Sequence, residues 1–273
     1  MTDWSLTLSA PAKINLYLGV HTERDDRGYH KVDSLMAAVG LADTVTVAPA
    51  QELTVQTVPA SDFPMQKNTA YRAAVAMAEH YSREANICVT IEKHIPLCAG
   101  LGGPSTDAAA VIVALAELWD IDHADPALDN IARGIGADVP FFLHASPAFH
   151  VGGGDVLATE YPALPATPVV LVKPREASVS TIEAYRRFDE TPVPAEKPGA
   201  IASALRSGDA ETAYALVHNN LGVISAQLEP QIQTVLDWLR AQDGTVAVDV
   251  CGSGACSFAI CDTAATAERD RKS

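Results

Sequence analysis

The sequence predicts a fold of mixed strands and helices, spread over one large or two moderate domains, and three observations carry that expectation. Apolar and polar residues alternate from Ser5 to Val20 around a break at Pro11, and β-branched residues keep the two-residue period at Thr44–Val47 and Leu53–Val58, which predicts strands. Helical spacing follows: Asn68 stands as an N-cap ahead of Ala70, Ala73, Ala74, Met77, Ala78 and Tyr81, before Ile87–Ile91 returns to a strand. Finally, 273 residues with 48% hydrophobic and 19% charged content can bury a sizeable core and do not have a disordered composition.

The remaining elements are read in chain order. Lys93–Thr106 is loop-like, with Pro96 and three glycines, and runs into Asp107–Trp119, a helix apolar nearly all round and therefore expected at the centre. Leu128–Ile135 reads as a helix ending at Gly136. Val139–Leu143 reads as a short apolar strand or turn, with Asp138 at the junction. Proline and small residues cluster at Pro162–Pro168 and predict a domain boundary, so the first domain runs over 1–161 and the second over 162–273. In the second, strands are expected at Val169–Val172, Val246–Val250 and Ser257–Ile260. Helices are expected around Ile182–Arg187, Asp209–Val217 and Leu228–Leu239.

Charge and cysteine usage narrow the function classes. Nineteen Lys and Arg against 34 Asp and Glu give a formal charge of -15. That field repels phosphate backbones and anionic membranes, so neither nucleic acid nor membrane is expected as a partner. An anionic ligand then needs a local cradle of backbone N–H groups and a few cations. The longest wholly apolar run, Ala108–Ala116, is far short of the roughly 18 residues of a membrane helix. Five cysteines (Cys88, Cys98, Cys251, Cys256, Cys261) with no CxxC pair suggest neither a disulfide framework nor a zinc site, and predict a reduced, cytoplasmic setting.

Several stretches could carry chemistry. In Pro96-Leu97-Cys98-Ala99-Gly100-Leu101-Gly102-Gly103-Pro104-Ser105-Thr106, glycines permit close backbone approach and a helix start supplies unpaired N–H groups, the makings of a phosphate cradle. Read alone it is equally a tight connection capped by Ser105 or Thr106, and it fits neither the Walker A nor the dinucleotide pattern. Lys13 and Asn15, two apart in a strand, project from one face and form either a shared polar site or the solvent face of an edge strand. Asp138 is either an acid poised beside an apolar run or a turn aspartate.

Taken in order, Lys13 with Asn15, the Gly100–Thr106 loop, Gly136-Ala137-Asp138-Val139-Pro140-Phe141 and Gly252-Ser253-Gly254-Ala255-Cys256 resemble the motifs of the GHMP small-molecule kinases. Gly28-Tyr29-His30, and Val179-Ser180-Thr181 followed by Tyr185, are similar to the branch that phosphorylates a cytidine-diphosphate-linked methylerythritol on the non-mevalonate route to isoprenoids. The resemblance runs through nearly the whole chain. It implies an α+β, two-domain GHMP kinase fold, with an N-terminal domain like domain 2 of ribosomal protein S5 and a ferredoxin-like α/β C-terminal domain. It also implies transfer of the γ-phosphoryl of ATP, with Mg²⁺ accompanying the nucleotide, to an alcohol of a small cytidylyl substrate, by a monomer or homodimer.

Residue by residue, the resemblance assigns Asp138 as general base with Lys13 as its partner. Pro96, Leu97, Gly100, Leu101, Gly102, Gly103, Ser105 and Thr106 fall to the ATP phosphates, and Asn68 and Lys93 to the nucleotide's surroundings. Tyr29 and Tyr185 would sandwich the cytosine while His30 reads its edge; Asn15, Thr181 and the Gly252, Ser253, Gly254 turn would meet the rest of the substrate. Pro104 stands where the family usually has glycine, Arg27 where it commonly has aspartate, and Cys98-Ala99 where the lead is often richer in glycine. A GHMP kinase for another alcohol, of homoserine or mevalonate type, and a catalytically impaired nucleotide-binding homologue are the alternatives. Gly28-Tyr29-His30 argues against the first.

Overall fold

A computed structural model of the chain describes residues 4–144 and 146–271. In order the elements are β1 (Leu6–Arg24), β2 (His30–Pro49), β3 (Thr54–Val58), α1 (Thr69–Tyr81), β4 (Ile87–Glu92), α2 (Gly103–Trp119), α3 (Pro126–Ile135), α4 (Val139–His144), β5 (Ala148–Val151), β6 (Val156–Glu160), β7 (Val169–Val172) and α5 (Thr181–Glu190). They continue as α6 (Gly199–Ser207), α7 (Ala210–Ala215), β8 (His218–Asn219), α8 (Asn220–Leu228), α9 (Pro230–Arg240), β9 (Thr245–Val250), β10 (Ser257–Cys261) and α10 (Ala264–Arg271). The chain forms two compact units: residues 4–12, 39–97 and 102–144 make the first, and 13–38, 98–101 and 146–271 the second.

In the first unit the end of β2 pairs antiparallel with β4, Val45 opposite Ile91 and Val47 opposite Val89, and β3 joins β4 in parallel. Alternation decides which face is buried: Val45, Val47, Val89 and Ile91 all point inward. Helix α1 starts where expected, the Asn68 side chain accepting the Ala70 N–H at 2.9 Å, and turns Ala70, Ala73, Ala74 and Met77 inward. Its alanine face lets α2 approach closely. Helix α2 is buried through Thr106–Ile112 and Ala114–Ala116, as an all-apolar helix must be, and also packs against α4. Two sequence readings need correction here. Val139–Leu143 is helical rather than strand or turn, since Pro140 has no donor to lose in a first turn and the run is too short to reveal its period. The central helix begins at Gly103, not Asp107, so the glycine loop ends inside its first turn.

The second unit carries the other halves of β1 and β2. Tyr17 and Leu18 of β1 pair in parallel with β8, and Ser34–Met36 of β2 pair antiparallel with β5, which continues to β6. A separate antiparallel sheet runs β7-β10-β9, close to the expected ranges. The core joins Leu18, Val20 and Val32 to Phe188 of α5, Leu221 and Ile224 of α8, Ile232 and Leu236 of α9, and Val250. Pro230 starts α9 afresh, which divides the expected Leu228–Leu239 helix from α8. No helix among the described residues is long and apolar enough to cross a membrane.

Candidate active site

In the second unit the constellation is built on β1. Lys13, 3% exposed, donates from Nζ to Asn15 Oδ1 at 2.8 Å, so the strand period places both side chains on one face, as the sequence suggests, but buried rather than at a solvent edge. The same oxygen accepts the Gly252 N–H at 3.0 Å, and Asn15 Nδ2 donates to Ser34 Oγ on β2 at 3.0 Å. A buried amide satisfied on both ends holds its neighbours to one geometry. Gly252 lies against the amine: an added Cβ would sit 3.4 Å from Lys13 Nζ.

The turn 251–254 is pinned from behind by a residue the sequence reading missed. Asn219 caps α8, accepting the Gly222 N–H, and its amide donates to the carbonyls of Val250 and Gly252 at 2.9 and 2.8 Å. An asparagine just ahead of a helical run is a cap signal, but nothing in the sequence announces its second task. Cys98–Leu101, the part of the glycine loop in this unit, lies along the turn: the Cys98 and Ala99 carbonyls accept the N–H groups of Ala255 and Cys256, and the Leu101 carbonyl accepts that of Lys13 at 3.0 Å. Gly100 has φ 72°, and an added Cβ would meet the Cys251 carbonyl oxygen at 1.8 Å, so only glycine fits. Burial pushes the Cys251 thiol well up, with Cys256 beside it adding to the effect, so it stays neutral and is no nucleophile.

The residues expected around a pyrimidine also lie in the second unit. The His30 imidazole stacks with Tyr185, centroids 5.2 Å apart, and meets Phe188 edge-on. His30 Nδ1 lies 2.7 Å from the His21 carbonyl, which can only accept, so this nitrogen carries a proton; Nε2 is 3.2 Å from Asp189 Oδ1. Tyr29 is exposed, and Thr181 Oγ1 lies 2.8 Å from Ser253 Oγ, tying the start of α5 to the glycine turn.

The first unit holds the rest of the loop. Gly102, with φ 77°, caps α2, and the N–H groups of Ser105 and Thr106 both turn onto its carbonyl at 2.9 Å. Pro104 therefore sits in a first turn, where a missing donor costs the helix nothing. Thr106 is buried and Ser105 half-buried, so of the two hydroxyls Ser105 is the outward one. Pro96 and Leu97 are exposed. Asp138 is half-buried immediately before α4.

Two residues expected near the nucleotide are engaged otherwise. Asn68 serves as the α1 cap. Lys93 is clasped by Asp43 and by Asp107, the latter at 2.6 Å, while Asp43 Oδ1 also accepts the N–H groups of His94 and Ile95. Burial is the largest influence on Asp107 and pushes its carboxyl up to about 7, with Lys93 pulling against it. Neither aspartate was singled out in the sequence. Among the described residues no group of three or more His, Cys, Asp or Glu is placed to hold a metal ion. Lys13 falls in the second unit and Asp138 in the first.

A glycine loop opening a central helix, and a second glycine turn buried against a lysine and an asparagine, are features of a small-molecule kinase, and comparison with known proteins gives the class. Residues 68–146 match the GHMP kinases N terminal domain and residues 201–273 the GHMP kinases C terminal domain. A relative from Mycolicibacterium gilvum (strain PYR-GCK), 36% identical over 96% of this chain and 84% of its own, is a 4-diphosphocytidyl-2-C-methyl-D-erythritol kinase. So is one from Mycobacterium avium (strain 104), 36% identical over the same shares. The chain belongs to the family of the 4-diphosphocytidyl-2-C-methyl-D-erythritol kinases. A crystal structure of 4-(cytidine 5'-diphospho)-2C-methyl-D-erythritol kinase superposes with TM-score 0.79 at 34% identity, covering 98% of this chain and 94% of that one. The mevalonate kinase of L. major, in complex with R-mevalonate, reaches TM-score 0.72 at 14% identity, over 99% of this chain and 91% of that one, and is alike in fold alone.

Proposed function

We propose that this chain transfers the γ-phosphoryl of ATP to the 2-hydroxyl of 4-diphosphocytidyl-2-C-methyl-D-erythritol, a step of the non-mevalonate route to isoprenoid precursors. The observation that carries the reading is the 36% identity to a kinase of that name, over 96% of the chain. The buried Lys13–Asn15–Gly252 arrangement supports it from the side of chemistry. Phosphoryl transfer asks a protein mainly for positioning and charge stabilisation, and a lysine held beside a glycine turn suits that demand. Similarity to homoserine and mevalonate kinases at 17% and 14% identity gives no comparable support to another alcohol.

In this reading Gly100–Thr106 lies under the ATP phosphates, with Pro96, Leu97, Asn68 and Lys93 around the nucleotide, the last two acting through the backbone they fix. Asp138 takes the proton of the substrate hydroxyl, and Lys13 stabilises the charge that develops on the attacking oxygen. Tyr29 and Tyr185 hold the cytosine, His30 reads its edge, and Asn15, Thr181 and Gly252–Gly254 meet the remainder of the substrate. Mg²⁺ travels with the nucleotide: this ion keeps several waters and needs few protein ligands, which fits the half-buried Ser105 hydroxyl at the start of α2. When bound it neutralises the β and γ oxygens. Along the chain, 1–161 and 162–273 remain the proposed domain limits, and the two matched family segments fall on either side of that division. A cytoplasmic enzyme, acting as a monomer or homodimer, suits the five thiols without paired spacing.

A coupled ADP-release assay on the whole chain with three alcohols tests the reading. Turnover is expected only with the cytidylyl substrate; turnover with homoserine or mevalonate instead, or ATP binding with no turnover, refutes it. Asp138→Asn is expected to keep ATP binding and lower kcat by roughly 10² to 10⁴-fold. An unchanged kcat removes Asp138 from the base role.

A further inference from the structure

We propose that Arg27 is a positioning residue for the pyrimidine end of the substrate: its guanidinium fixes the Tyr29 ring from one face and leaves the other for a base to stack on. The proposal rests on the reading that Tyr29 meets the cytosine, and deepens it by naming what makes Tyr29 a platform.

Tyr29 is 64% exposed, and a ring that open would ordinarily sample several rotamers. Its backbone is fixed by the turn that Asp25 organises: Asp25 Oδ1 accepts the N–H groups of Arg27 and Tyr29, both at 3.0 Å, the Tyr29 carbonyl accepts the Asp25 N–H, and Gly28 takes φ 83°. The ring is fixed separately. The Arg27 guanidinium carbon lies 5.3 Å from the Tyr29 centroid, within cation–π range.

Arg27 itself is immobilised from a second loop. Nη1 and Nη2 donate to the two oxygens of Asp155 at 2.7 and 2.9 Å, a bidentate fork, and Nε donates to Asp25 Oδ2 at 2.8 Å. The Asp155 side chain is 4% exposed and also accepts the Gly153 N–H at 3.1 Å, so the fork has a rigid base. Gly153 leaves the space for it, since an added Cβ would come 2.9 Å from Nη2. The residues 25–29 and 153–155 are thus one device with an aromatic face at its tip.

Charge excludes the obvious alternative, a direct grip on the substrate's diphosphate. One guanidinium between two carboxylates leaves a net negative cluster, which repels phosphate rather than attracting it. Three of its five N–H donors are already committed.

The test compares steady-state kinetics and thermal melting of Tyr29→Ala, Arg27→Gln, Arg27→Lys, Asp155→Asn and the Arg27→Gln/Asp155→Asn pair. All are expected to raise KM for the cytidylyl substrate, by about two- to thirtyfold for Arg27→Gln, the range of a cation–π contact. KM for ATP and kcat should stay within about twofold, a split that general destabilisation does not produce. The pair should be no worse than either single variant, because both break one fork, and Arg27→Lys should rescue only in part, having charge without the fork. If Arg27→Gln raises KM while Asp155→Asn leaves it unchanged, Arg27 touches the substrate directly and the proposal fails. If Tyr29→Ala alone raises KM, the proposal fails but the cytosine site stands. If Tyr29→Ala has no effect, the reading of the cytosine site fails first. Arg27 is exposed, so Arg27→Gln keeps the fold and decides the matter even if Asp155→Asn melts early.

Discussion

Two buried lysines, one in each unit, serve opposite ends. Lys13 donates to the neutral amide of Asn15, whose oxygen also receives the Gly252 N–H. Lys93 is gripped by two carboxylates, so its charge is outnumbered within its own cluster. The first arrangement holds an ammonium beside a glycine turn without cancelling it through the amide. The second uses an ammonium to join the end of β2, the start of α2 and the backbone at His94 and Ile95. Burial alone therefore does not mark a lysine as catalytic; the charge of the groups around it decides whether it can work on a ligand or is consumed as a fastener.

Substituting each lysine by methionine breaks or sharpens that contrast most strongly. Lys13→Met is expected to lower kcat by roughly 10² to 10⁴-fold, the range for a positioned group that stabilises transition-state charge. Its unfolding free energy should fall by only about 1 kcal/mol, because Asn15 Oδ1 keeps the Gly252 N–H. Lys93→Met leaves two buried carboxylates without their cation, and such breakage destabilises by about 3–5 kcal/mol. Urea denaturation beside single-turnover kinetics checks both. A Lys93 variant that folds normally yet loses ATP affinity would return Lys93 to the nucleotide and dissolve the contrast.

Why this difference escapes the sequence is instructive. Lys13 and Asn15 were recognisable because strand period puts residues two apart on one face. The alternation Val45, Val47, Val89, Ile91 and the cap at Asn68 were equally plain, being local. The partners that give each lysine its character are not local: Ser34 is 19 residues from Asn15, Gly252 is 237 away, and Asp43 is 50 from Lys93. Strand β2 was legible only at Thr44–Val47, because its earlier part buries Ser34–Ala37 consecutively and so shows no alternation. Strands β5 and β6, of four and five residues, are too short to declare a period. The motif order along the chain, rather than any contact, is what pointed to the family.

A smaller effect comes from protons. With its carboxyl pushed up to about 7 by burial, Asp107 binds a proton in the folded chain over a range where the unfolded chain has released it. Between about pH 4 and 7 the folded state thus holds more protons, and this group's contribution to stability falls as pH rises through that window. Asp107→Asn removes the fall. Relative to the unsubstituted protein, it should gain on the order of 1–3 kcal/mol on going from pH 5 to pH 7.5. Parallel urea titrations at the two pH values read it directly, and an unchanged difference would mean that Lys93 keeps Asp107 ionised throughout.

The smallest expected change concerns the loop beneath Lys13. Cys98 is exposed and adopts φ 52°, a region that costs an ordinary side chain about 1 kcal/mol, and glycine would relieve that strain. Glycine also gains freedom in the unfolded chain, worth about 0.5–1 kcal/mol in the other direction. The two nearly cancel, so Cys98→Gly should shift stability by no more than about 0.5 kcal/mol in a urea melt. Its kcat should not move either, since what the loop gives its surroundings are backbone groups: the Cys98 carbonyl to Ala255 and the Leu101 carbonyl to Lys13. A large loss of kcat with stability intact would show that the Cys98 side chain takes part in the reaction, and that the surroundings of Lys13 are set by more than the backbone around it.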